Sequence, residues 1–210
     1  MDIVGFFDVI TKPEATLTRL RKNANTGEAV KLYAIAGGIF GLLLALMVVT
    51  VSGIIGLTAL TGNQTGMMGM LGGLGLLSLI VLPILGALFF ILIFGFQSGL
   101  YFLVASLLGG KGTFAHNIFL NSRFFWPVFV VNIITAVLSV IPILGLLIQL
   151  GWWIYAIYLT VIWISIANGI SKLRAFVVWL IPSIVILGIL FLIFGAVLLA
   201  TIGAAGANLG

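Results

Sequence analysis

Apolar residues run through this sequence in long blocks, broken by short joints of glycine, proline and small polar residues. The blocks carry almost no charge. After Lys31 the next charged side chain is Lys111, and only Arg123, Lys172 and Arg174 follow, so 32–110, 124–171 and 175–210 are uncharged. A helix that crosses a bilayer needs roughly 20 apolar residues. The pattern predicts five such helices, at 32–60, 76–108, 124–141, 144–168 and 175–202.

The joints set these limits. A Gly-Asn-Gln-Thr-Gly segment at 62–66 opens a Met- and Gly-rich stretch that closes the first block. The second block makes about 50 Å of helix against a hydrocarbon core of about 30 Å, so it tilts or projects, with Pro83 a predicted kink. Gly109-Gly110-Lys111-Gly112-Thr113 is a turn signal: Gly109 or Gly110 ends one helix and Thr113 caps the next segment. Pro142 supports a tight turn at 140–145; a kinked helix through it would leave four spans instead of five.

Charge placement decides between the two. With five spans, the segment before the first helix, the 109–123 loop and the 169–174 loop share one side. Those three segments hold all nine basic residues, and the other side holds none. Basic loops stay in the cytoplasm, so the N-terminus is predicted cytoplasmic and the C-terminus outside. Four spans would strand Lys172 and Arg174 on the wrong side. The chain divides into a cytoplasmic segment, 1–31, and a five-span membrane domain, 32–210.

Within the cytoplasmic segment, Thr11-Lys12-Pro13-Glu14 fits a capping box, with a hydroxyl at the N-cap and proline early in the first turn. Leu17, Leu20 and Ala24 recur at helical spacing, with Arg19, Arg21 and Lys22 on other faces. This predicts a basic amphipathic helix over 11–24, lying on the inner leaflet or serving as a solvated linker helix. Asp2 and Asp8 flank a short apolar run, which does not read as a cleavable signal peptide.

Composition confirms the class and narrows the chemistry. Hydrophobic residues make up 63% of the 210 residues, charged residues 6%, and the mean hydropathy is +1.40. A soluble domain carries about 25% charged residues. The net charge of +5 and pI near 9.9 would suggest nucleic acid in a soluble protein; beside membrane spans, topology explains them, and no nucleic-acid partner is expected.

The absence of cysteine excludes disulfides and thiolate metal sites. No carboxylate lies beyond Glu28, and His116 is the single histidine, so no catalytic dyad, triad or metal shell can be assembled. The chain is expected to be non-enzymatic and to hold no cofactor. A phosphate loop would need Ser or Thr directly after its lysine, but Gly112 follows Lys111.

Small residues pair at Gly37/Gly41, Gly69/Gly73 and Gly95/Gly99, spacings that let helices approach closely, within the chain or between copies. Ser78, Gln97, Ser98, Asn132, Gln149, Tyr155, Tyr158 and Asn168 are polar side chains inside the blocks. They suit interhelical hydrogen bonds, or line a path for a small neutral solute. Trp126, Trp152, Trp153, Trp163 and Trp179 suit an interfacial belt and lipid-facing packing, or, for 152, 153 and 163, a pocket.

Three stretches carry a resemblance: Lys12-Pro13-Glu14 ahead of the first span; Leu107-Leu108-Gly109-Gly110-Lys111-Gly112-Thr113-Phe114 after Tyr101-Phe102-Leu103; and Ile166–Ile170 running through Ser171-Lys172-Leu173-Arg174-Ala175 to Ile181-Pro182. With Pro127 opening the third span, the chain resembles the Yip1-domain family, most specifically over 97–185. The resemblance implies five helices and a cytoplasmic N-terminus. It also implies the work of the family's eukaryotic members, which act in vesicle traffic between the endoplasmic reticulum and the Golgi and bind prenylated Rab-type GTPases. Those members carry a longer cytosolic N-terminal region, so this short form looks like the prokaryotic ones and is expected in the cytoplasmic membrane of a prokaryote.

A scaffold or adaptor function is therefore expected, with a transporter or channel for a small neutral solute or lipid as the alternative. The lipid- or partner-contact residues are Pro13, Gly109, Gly110, Lys111, Gly112, Thr113, Arg123, Lys172 and Arg174. The expected partners are the bilayer with its anionic headgroups, and a membrane protein or a second copy of the chain.

Overall fold

A computed structural model describes the backbone of residues 3–59 and 65–207, and side chains over 7–54 and 75–197. The described residues fold into seven helices and no strand: α1 (Ile3–Thr11), α2 (Pro13–Arg21), α3 (Thr26–Ala59), α4 (Thr65–Leu107), α5 (Phe114–Leu138), α6 (Pro142–Asn168) and α7 (Lys172–Ala207). The last five are each long and apolar enough to cross a membrane. The protein is an all-α, multi-pass membrane protein.

Helix limits follow from local chemistry. Asn25 Oδ1 accepts from the backbone N–H of Gly27 at 2.8 Å and of Glu28 at 3.3 Å, opening α3. Thr113 caps α5: its Oγ1 accepts from His116 N–H at 3.2 Å, while Thr113 N–H donates to His116 Nδ1 at 3.3 Å. Past the end of α4, Gly109 adopts φ +84°, and Gly169 ends α6 at φ +65°, left-handed positions that favour glycine. Pro142 occupies the first turn of α6, where its missing N–H costs nothing, and the tight turn before it keeps α5 and α6 separate.

Two expectations for the N-terminal segment change. Thr11 does not cap a helix over 11–24. It is the last residue of α1, and its hydroxyl donates to the Phe7 carbonyl at 3.2 Å. The residue before a proline is pushed out of the helical region, so Lys12 sits at φ −134°, ψ 57° and breaks the segment into two helices. Nor is the apolar face of α2 presented to a leaflet, because Thr16 and Leu17 are buried against the bundle. The third span, α5, also begins at Phe114, ten residues ahead of the expected limit, and the polar residues His116, Asn117 and Asn121 lie within the helix.

Glycine sets the tightest contact. A side chain at Gly37 would collide with the backbone of Gly86, and one at Gly41 with the backbone of Leu82. Packing inside the chain therefore accounts for this pair. Gly95 has open space around it and Gly99 meets only the Phe114 ring, while Gly69/Gly73 lies outside the residues with described side chains. Tyr33, Phe90, Phe94 and Phe125 fill the junction of α3, α4 and α5, with Tyr33 stacked on Phe94 at 5.0 Å.

Burial is lopsided. The core gathers where α1 and α2 dock, around Leu17, Phe119, Leu120, Leu159, Trp163 and Ile164. At the opposite end Val140, Ile143, Leu146 and Phe194 are exposed apolar side chains, as lipid-facing positions must be.

Candidate functional site at the basic end

Helix direction alternates, so the starts of α3, α5 and α7 and the ends of α4 and α6 meet at one end of the molecule. All nine basic residues belong to this end. Its centre is a reciprocal amide pair: Asn117 Nδ2 donates to Asn168 Oδ1, and Asn168 Nδ2 to Asn117 Oδ1, both at 2.9 Å and both buried. The 108–113 loop is fastened to that pair. Lys111 N–H donates to the Asn168 carbonyl at 2.9 Å, and Gly110 N–H to the Ala105 carbonyl at 2.8 Å. Gly112 lies so close to Ala167 and Asn168 that a side chain would collide with their backbone. The glycines thus let the loop lie flat on the end of α6.

Each candidate residue has a definite place. Pro13 starts α2; Gly109, Gly110 and Gly112 shape the loop; Thr113 caps α5; and Lys111 extends from the loop, exposed. Arg123 Nη2 donates to Glu28 Oε2 at 2.7 Å and its guanidinium lies 5.1 Å over the Phe119 ring. Lys172 pairs with Glu14 across exposed surface. Arg174 Nη1 donates to the Leu108 carbonyl at 3.3 Å, tying α7 to the loop. Two of the four loop bases therefore face carboxylates of the N-terminal segment. Lys111 and Arg174 have no carboxylate partner among the described residues.

The N-terminal helices complete the end. Tyr155 donates from its hydroxyl to the Ile10 carbonyl at 2.7 Å, and Val9 and Leu17 are fully buried. Tyr33 reaches the Ile118 carbonyl at 3.5 Å. Asn121 Nδ2 donates to Ser98 Oγ at 3.0 Å and to Gln97 Oε1 at 3.3 Å, joining α5 to α4. Sequence reasoning passed over Asn117 and Asn121, although Thr113, Asn117 and Asn121 recur every four residues and so share one helix face. Farther out, Trp152 Nε1 donates to Asn132 Oδ1 at 2.7 Å, an interhelical bond.

Five apolar helices, with two short N-terminal helices docked on a basic, hydrogen-bonded end, define a multi-pass membrane protein whose polar chemistry is gathered on one face. The chain matches the Yip1 domain family over residues 7–204, nearly its whole length, and it belongs to that family. Neither a curated protein nor a solved structure matches it.

Proposed function

We propose that this protein is a non-enzymatic membrane scaffold or adaptor that presents its basic end to the cytoplasm as a docking face. The observation that supports this most is the fastening of that end: the 108–113 loop, the end of α6, α2 and the starts of α5 and α7 are held together by hydrogen bonds and an ion pair. A preorganised surface loses less entropy when a partner docks.

Cytoplasmic placement rests on the one-sided bases and puts the C-terminus outside; the cytoplasmic membrane of a prokaryote is the proposed location. Pro13, Gly109, Gly110, Gly112 and Thr113 shape the face. Lys111 and Arg174 draw anionic headgroups or an acidic partner surface, while Arg123 and Lys172 hold the N-terminal helices through Glu28 and Glu14. Solute transport draws less support, because Asn132 is occupied by Trp152.

The test is photo-crosslinking in living cells from probes at Thr113 and Ser171, both exposed. A discrete protein adduct is expected at both positions. Adducts to lipid alone, or none, would contradict the adaptor function.

A further inference from the structure

The depth of the bilayer along the helices can be counted from the apolar end. The α5–α6 turn exposes Val140 and Ile141 and carries no charge, so it belongs at the edge of the hydrocarbon core. From Leu138 back along α5, about 22 Å of helix leads to Arg123, and the apolar 139–141 turn beyond it brings this toward the roughly 30 Å of a hydrocarbon core. Arg123 is also where charge begins, held by Glu28. The boundary of the bilayer therefore crosses the bundle near Arg123, and Asn117 and Asn168 lie beyond it.

One outward groove straddles this boundary. It lies between α4 and α7, holds about 240 Å³, and is walled by Ile93, Phe96, Leu100, Pro182 and Ile186, with Gln97 and Tyr101 among its lining. The Asn121–Gln97 hydrogen bond fixes its depth beside Arg123. Tyr101 is only 5% exposed. Its hydroxyl accepts from Gln97 Nε2 at 3.5 Å, but its own proton has no acceptor among the described residues. A buried donor without an acceptor is costly, and Tyr101 is among the residues lining the groove, at the depth of lipid ester groups. No cation lines the groove, so the recognised group is a neutral acceptor rather than a phosphate.

We propose that the α4–α7 groove is a lipid site that takes one acyl chain of a diacyl glycerolipid, with the ester carbonyl accepting from Tyr101. The chain lies along Ile93, Phe96 and Ile186 toward the bilayer centre. Because the contact is to the ester, the site takes such lipids whatever their headgroup charge.

The test uses the full chain in phosphatidylcholine vesicles. Two probes carry a diazirine near the ester end of one acyl chain: a phosphatidylcholine and a phosphatidylglycerol. Both are expected to label peptides spanning 93–101 and 182–186 to the same extent. Ile186→Trp, at a half-exposed position that leaves the core untouched, fills the groove and abolishes that labelling. Tyr101→Phe keeps the ring and weakens it. Val48→Trp, in a separate groove with Leu44, Met47 and Leu82, leaves it unchanged. Labelling spread evenly along the lipid-facing helices, labelling that survives Ile186→Trp or is unaffected by Tyr101→Phe, or labelling by the anionic probe alone would overturn the proposal.

Discussion

Single residues here act mainly by what they leave out or pair with. Gly41 touches the α4 backbone, whereas nothing lies within 4 Å of a side chain placed at Gly53. Gly41→Ala should therefore destabilise by about 1–3 kcal/mol through overpacking. Gly53→Ala should be neutral or stabilise by up to about 1 kcal/mol through helix propensity. Thermal unfolding in one detergent compares them, and equal effects would count against the packing assigned to Gly41. The buried amide pair predicts a second pattern. Asn117→Leu or Asn168→Leu leaves an unsatisfied amide and should cost about 1–3 kcal/mol, while the double variant costs less than the sum of the two. The Thr113 cap was legible because glycines on one side and a helical run on the other leave one place for it. The Thr11 cap was not, because the same Thr-Lys-Pro-Glu string serves equally to end one helix and begin another, and only the preceding residues, already helical in α1, decide which.

At the scale of elements, the five spans could be counted from charge and hydropathy alone, since in a bilayer every backbone group must be satisfied within its helix. The docking of α2 could not. The spacing of Leu17, Leu20 and Ala24 shows that a helix has an apolar face, but a leaflet and a protein groove satisfy that face equally. Burial of Leu17 between α2 and the bundle decides for protein. Leu17→Ala should then cost about 2–5 kcal/mol of local packing. Hydrogen exchange in detergent micelles should show α2 amides losing protection while α6 stays protected. An α2 whose exchange is unchanged would mean that it is not held by this contact.

The whole molecule divides into an apolar part, exposed as lipid-facing surface, and a basic end that holds the buried polar side chains Asn117, Asn121 and Asn168. Its overall plan was visible in the sequence because the bases fall in alternate loops. The interlocking of that end was not, because it depends on pairs far apart in the chain: Glu28 with Arg123, Glu14 with Lys172, Asn117 with Asn168. The central claim is that this end faces the cytoplasm as one surface. The chain contains no cysteine, so single cysteines can be placed without background. In intact cells and in inverted membrane vesicles, cysteines at Thr113, Ser171 and Ser139 would be tested with a membrane-impermeant maleimide. The account predicts that positions 113 and 171 react only in inverted vesicles and that 139 does not react there. Labelling of 113 or 171 in intact cells, or of the two from opposite sides, would contradict it.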